Sequence, residues 1–99
     1  MKVVVSVRAR IDLNRQLDFL IDTGAATAAR RLNRRLVSFI EGTLAPFPET
    51  GLPIHHRGLR ECWVPRTRIV VWYRVSGETL EIARFWHTSQ DRRPPDQQT

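Results

Sequence analysis

Ile69-Val70-Val71-Trp72-Tyr73-Arg74-Val75, then Ser76-Gly77-Glu78, then Thr79-Leu80-Glu81-Ile82-Ala83-Arg84-Phe85-Trp86 is the stretch on which the fold turns. Both arms are β-branched and aromatic, the side chains that fit a pleated, half-buried surface. The three residues between them include a glycine free to take a positive φ, so the segment reads as an antiparallel hairpin. Leu59 to Val64 supplies a preceding strand, ended by Pro65, which cannot donate to a ladder. Along the last strand Leu80, Ile82, Arg84 and Trp86 are expected to share one face, with His87 on the other face or beyond the strand end. Arg84 then stands in an otherwise apolar row, where a guanidinium needs a partner or a route to the rim.

Upstream the period changes. Met1 to Val7 reads as a short strand, and three consecutive valines, Val3 to Val5, suggest burial on both faces rather than an edge. Between Ile11 and Ile21 the residues Leu13, Leu17, Leu20 and Ile21 fall on one helical face, with a stop at Asp22-Thr23-Gly24. From Ala25 to about Thr43 a second stripe runs through Ala29, Leu32, Leu36, Phe39 and Ile40, ending at Gly42 and the prolines Pro46 and Pro48. A tight link makes the two helices an antiparallel hairpin. Pro46 to Gly58 reads as a loop. The fold class is α+β: an N-terminal strand, a helical hairpin, then a three-stranded antiparallel sheet. Residues 1–90 form a single domain and 91–99 a polar, proline-bearing tail expected to fray.

The chain has 99 residues, 41% hydrophobic and 26% charged, which suits one globular domain with a small core. Its net charge is +6, and Lys2 is the only lysine among 16 basic residues. Arginine grips carboxylates and phosphates with a planar fork, so this surface suits an acidic protein or a nucleic acid, plain solubility being the bland alternative. Arg30, Arg31, Arg34 and Arg35 read chiefly as a solvated helix face, with a contact surface as the other reading. Cys62 is the single cysteine, read as a small buried side chain, and no Cys/His spacing suggests a metal site. No cofactor is expected. Nothing approaches a signal sequence or a membrane span, which places the chain in the cytoplasm. His55 and His56 read as exposed loop residues, and Trp72 and Phe85 as core.

Several segments in order carry a family likeness: Ala28-Ala29-Arg30-Arg31-Leu32, then Leu44-Ala45-Pro46-Phe47-Pro48-Glu49-Thr50-Gly51-Leu52-Pro53, then Gly58-Leu59-Arg60-Glu61 and Val64-Pro65-Arg66-Thr67. The hairpin Trp72 to Ile82 and the closing Arg84-Phe85-Trp86-His87 complete it. The chain resembles the RelE/ParE superfamily of type II toxin–antitoxin toxins, nearer the ParE branch. The resemblance implies growth inhibition, plasmid stabilisation and a hetero-oligomer with a ParD/RelB-like antitoxin. It also implies a target, DNA gyrase for ParE-like members or the ribosome for RelE-like ones. A metal-independent ribonuclease needs a base, an acid and cations on the phosphate. Arg60, Arg84 and His87 are the candidates, but the loop before the central strand has His55, His56 and Arg57 without lysine, Val70 stands where a basic residue is usual, and no tyrosine follows Tyr73. Gyrase inhibition requires only a surface, for which Arg57, Arg60, Arg74, Arg84, His87 and Arg92 are the candidates. Two readings of the strand arginines stay open: convergence into a positive concavity, or internal pairing of Arg84 with Glu81 or Glu61. A small nucleic-acid-binding module with stacking aromatics is a third possibility.

Overall fold

The computed structural model describes residues 1–90 and Arg92; the expectation of a frayed tail falls almost wholly outside them. Two helices pack on one face of a five-stranded mixed sheet. The elements are β1 (Lys2–Val5), α1 (Val7–Asp22), α2 (Ala26–Phe39), β2 (Leu52–Pro53), β3 (Arg60–Trp63), β4 (Ile69–Ser76) and β5 (Thr79–His87). The strand order is β1-β5-β4-β3-β2, with β1 parallel to β5 and the other neighbours antiparallel.

The β4–β5 hairpin is closed more tightly than its sequence implied. Ser76 pairs with Thr79, leaving a two-residue turn, Gly77-Glu78, in which Gly77 takes φ +60°. The helical hairpin turns at Gly24, at φ +83°, where the Ala25 amide donates to the Leu20 carbonyl at 2.7 Å. α1 begins four residues earlier than its leucine pattern suggested, because Ser6 is an N-cap whose hydroxyl accepts from the Ala9 amide at 3.0 Å. Downstream of α2 the helix widens into a π turn over Ile40–Leu44, with both Ile40 and Leu44 buried in the core.

The core lies between the helices and one sheet face: Ala9, Leu36, Ile40 and Leu44 meet Val64, Ile69, Val71, Tyr73, Leu80, Ile82 and Phe85. On the opposite face a smaller cluster gathers Leu59, Val70 and Trp72 with Ile54, Ala83 and Trp86 around it. Trp72 and Phe85 are both buried, as their place in the pattern implied. Cys62 is half-buried against the main core, and burial pushes its thiol pKa up.

Three expectations change. The valines of β1 do not sit in mid-sheet: β1 is an edge strand, with Val4 38% exposed and Val3 and Val5 turned inward. The loop after α2 contributes a short edge strand, β2, whose Leu52 opposes Glu61. The third correction concerns β5. Trp72 pairs with Arg84 but Tyr73 pairs with Ile82, so Ala83 is an extra, unopposed residue. This bulge shifts the alternation by one. Leu80 and Ile82 face the helices, but after Ala83 it is Phe85 that does so, while Arg84 and Trp86 take the opposite face.

Tyr73 anchors the loop that leaves α2. Its hydroxyl donates to the Pro48 carbonyl at 2.6 Å and accepts from the Gly51 amide at 2.8 Å. A Cβ at Gly51 would lie 2.6 Å from that hydroxyl and 2.9 Å from the Glu61 carbonyl, so the loop passes this point only as glycine. Gly51→Ala is therefore expected to destabilise by about 1–3 kcal/mol through overpacking, read as a lower urea midpoint at unchanged m. Tyr73 is fully buried, and loss of solvation raises its pKa above the ordinary 10.0. In the unfolded chain the phenol ionises first, so its contribution is complete below pH about 10 and is lost as pH rises through the higher folded value. Tyr73→Phe should flatten the alkaline limb of a stability–pH curve, at a cost near neutrality of about 1–3 kcal/mol for the Gly51 amide and Pro48 carbonyl left unmatched.

Candidate functional site

β1 pairs with β5 only as far as Ile82, so beyond it the outer edge of β5 has no strand beside it. Helix α1 takes over. Ser6 Oγ donates to the Ala83 carbonyl at 3.0 Å, Asp12 Oδ2 accepts from the Phe85 amide at 3.1 Å, and Gln16 Nε2 donates to the Phe85 carbonyl at 3.5 Å. Ala9, Asp12 and Gln16 follow at i, i+3 and i+7, one helical stripe, and Ala9 is fully buried where α1 lies against β5.

Asp12 also holds Arg84 by a two-toothed ion pair, Nε to Oδ2 at 2.6 Å and Nη2 to Oδ1 at 3.1 Å. The carboxylate is 7% exposed and is the buried charged residue of the described chain. Arg84 therefore pairs with neither Glu81 nor Glu61, the acids its strand position suggested. Its guanidinium also stacks 3.9 Å from the Trp86 ring centre, and Trp86 meets Trp72 edge-on at 5.1 Å.

The other candidate residues are placed as follows. Arg74 pairs with Glu81, Nη2 to Oε1 at 2.9 Å, and reaches the Arg57 carbonyl at 3.4 Å. Arg92 pairs with Glu61 at 3.3 Å, and the same carboxylate accepts from Trp72 Nε1 at 2.7 Å. Arg60 opposes Tyr73, on the helix side of the sheet, and donates to the Gly51 carbonyl at 2.7 Å. His87 opposes Ile69, at the far end of β4 from Tyr73, and its Nδ1 lies 2.8 Å from Ser89 Oγ. Arg57 is exposed, at φ +50°. Thus Arg60, Arg84 and His87 are not brought together: Arg60 and His87 lie on the strands either side of β4, opposite Tyr73 and Ile69, about 13 Å apart along it at about 3.3 Å per residue, and Arg84 is on the other face. Arg74, Arg84 and Arg92 each pair with a different carboxylate and Arg60 with a backbone carbonyl, while Arg57 and Arg74 line one cleft. His55 is exposed, whereas His56 is partly buried with its ring 6.5 Å from that of Trp72. Among the described residues no group of His, Cys, Asp and Glu could hold a metal ion, and no helix is long and apolar enough to cross a membrane.

Two clefts flank α2. One, of about 360 Å³, has an apolar floor of Phe19, Leu20, Leu32 and Ile69 and a polar rim of Arg15, Arg68, His87 and Gln90. The other is rimmed by Arg31, Arg34, Arg35 and Arg66. Sequence reasoning overlooked Arg15, Arg66 and Arg68 because each acquires its setting only when the helices dock beside the turn between β3 and β4. It named Asp12 nowhere, since an acid in a helix ordinarily faces solvent. The faint signal was a small–acid–amide stripe, Ala9-Asp12-Gln16, beside the leucine stripe.

This arrangement of two helices on a bulged mixed sheet is the fold of the RelE/ParE toxins. The chain is similar to a chain of the chromosomal ParDE toxin–antitoxin system of P. aeruginosa, with TM-score 0.75, 20% identity, and coverage of 88% of this chain and 95% of that one. It is similar also to a chain of the toxin–antitoxin complex RelBE2 of Mycobacterium tuberculosis, with TM-score 0.63, 24% identity, and coverage of 87% and 95%. Among curated proteins it is 31% identical over 96 residues to Toxin RelE1 of Caulobacter vibrioides, spanning 91% of this chain and 96% of that protein. Residues 3–92 match the ParE toxin of the type II toxin–antitoxin system parDE, and the chain belongs to that family.

Removing Asp12 leaves Arg84 without its counter-charge and the Phe85 amide without an acceptor. Asp12→Ala is expected to cost about 3 kcal/mol in urea unfolding. The double variant Asp12→Leu/Arg84→Met should recover the part owed to the unpaired guanidinium, since an apolar pair of similar volume has no charge to desolvate, while the Phe85 amide stays without its acceptor.

Proposed function

We propose that this ParE-family toxin arrests growth by binding DNA gyrase, not by cutting RNA, and that a ParD/RelB-like antitoxin silences it. The observation that carries the reading is the separation of Arg60, Arg84 and His87. Phosphodiester cleavage without a metal needs acid, base and phosphate-holding cations around one phosphorus. Here Arg60 and His87 flank β4 on different strands, opposite Tyr73 and Ile69, while Arg84 is on the other face and held by Asp12. An inhibitor that works by docking needs no such convergence.

The apolar-floored cleft supports the antitoxin half of the proposal. Phe19, in that floor, is 66% exposed, and the rim is cationic. An acidic amphipathic segment fits both features: apolar side chains over Leu20, Leu32 and Ile69, carboxylates toward Arg15 and Arg68. The purified chain is expected to inhibit gyrase supercoiling in vitro and to leave messenger RNA intact in the presence of ribosomes; ribosome-dependent cuts without gyrase inhibition would reverse the assignment. Phe19→Glu should change stability by no more than about 0.5 kcal/mol yet abolish rescue by the co-expressed antitoxin, measured as colony formation.

A further inference from the structure

We propose that the cleft between α2 and the β3–β4 turn binds the phosphodiester backbone of a nucleic acid, with Arg31, Arg34, Arg35 and Arg66 as its phosphate-holding residues. This goes beyond gyrase inhibition and does not depend on it.

Four of the nine residues lining this cleft are arginine, and none is acidic. The contrast with the sheet decides how to read them: Arg74, Arg84 and Arg92 each have a carboxylate, whereas α2 carries no acidic residue at all. Arg31 and Arg35 are like charges at i, i+4, as are Arg30 and Arg34, an arrangement that destabilises a helix by about 0.2–0.5 kcal/mol per pair. The fold adds a fourth cation to this crowd. Arg66 projects from the turn at φ +63°, a left-handed conformation unfavourable for a residue with a Cβ, and Arg35 Nη1 donates to its carbonyl at 3.0 Å. The turn is thus pinned where it brings Arg66 to the other three, against their mutual repulsion.

A polyanion would relieve that repulsion. Guanidinium forks suit phosphate oxygens, and cations spaced one helical turn apart, about 5.4 Å, can meet successive phosphates of a strand. An acidic protein would also be attracted, but protein partners draw their energy from apolar anchors in buried pockets. Such a pocket exists on the other flank of α2, where Phe19, Leu20, Leu32 and Ile69 form the floor. The arginine cleft has only Phe39, Val64 and Pro65 as apolar lining.

The test is fluorescence anisotropy of the full chain with a short labelled duplex DNA of random sequence, a labelled single-stranded RNA, and labelled polyglutamate. The double variant Arg34→Gln/Arg66→Gln is compared with the charge-matched control Lys2→Gln/Arg10→Gln, both altered at exposed positions. The expected result is salt-sensitive binding of duplex or RNA that the cleft variant weakens about tenfold or more at low salt, with the logarithmic salt slope on duplex reduced by about 2. The control should lose far less, and the stronger of the two nucleic acids identifies the source of the phosphates. Equal loss in the control, native-like binding by the cleft variant, or polyglutamate binding as tightly and losing as much would overturn the proposal. Arg34→Gln alone, at an exposed helix position, keeps the test decisive if the double variant does not fold. Gyrase inhibition by the same variants is scored separately, so failure of one reading does not decide the other.

Discussion

The fold depends on how the outer edge of β5 is finished after β1 stops at Val5. A bare strand edge under a helix leaves donors and acceptors with neither water nor partner. Here α1 finishes the edge with side chains. Ser6 and Gln16 donate to its carbonyls, and Asp12 accepts from the Phe85 amide. A carboxylate that buried carries a desolvation penalty of several kcal/mol unless a cation meets it. Arg84 meets it because the bulge at Ala83 turns Arg84 off the core face and leaves Phe85 in its place. Bulge, ion pair and helix position are therefore one constraint. Without the extra residue, Arg84 would point into the apolar layer and Phe85 out of it.

That constraint explains which parts of the chain were legible. The β4–β5 hairpin declared itself because its signals are local: β-branched and aromatic runs, with a glycine at the turn. The helical hairpin was legible for the same reason, through leucine spacing and Gly24. The phase of β5 after Ile82 was not legible, since a bulge is decided by what packs on each face, and the alternation Leu80, Ile82, Arg84, Trp86 looks unbroken. The partner of Arg84 could not be read either. Glu81 and Glu61 are near in strand terms, whereas Asp12 is 72 residues distant in sequence and on a helix. Val3 to Val5 misled for a related reason: valine suits a strand wherever it lies, and only the parallel pairing with β5 makes β1 an edge.

The same comparison separates two populations of arginine that composition merges. Those on or next to the sheet, Arg60, Arg74, Arg84 and Arg92, hold the structure together, through Gly51, Glu81, Asp12 and Glu61. Arg74, Arg84 and Arg92 each meet a different carboxylate and Arg60 meets a backbone carbonyl, so these four do not stand as one cluster of unpaired cations. Family membership did not rest on such a cluster, and the match over residues 3–92 stands without it. The arginines of α2 and the β3–β4 turn, by contrast, lie in segments without acidic residues.

The geometry of α2 ties the two clefts to each other. Arg31 faces one and Leu32 the other, while Arg66 and Arg68, alternate residues of the same turn, divide in the same way. The helix and turn thus form a ridge with an arginine-rich flank and an apolar-floored one. A helix is only about 10 Å across, close to the distance of about 8 Å over which physiological salt screens charge. An acidic segment seated on the apolar flank would therefore lower the positive potential on the other mainly at low salt, and only weakly at physiological salt. Thermodynamic linkage makes that effect mutual: whatever an antitoxin-like acid costs a phosphate chain in affinity, the phosphate chain costs the acid. If the toxin works by docking, a partner on the apolar floor would act chiefly by covering it, and the dimming of charge on the opposite side would be a smaller, salt-dependent addition.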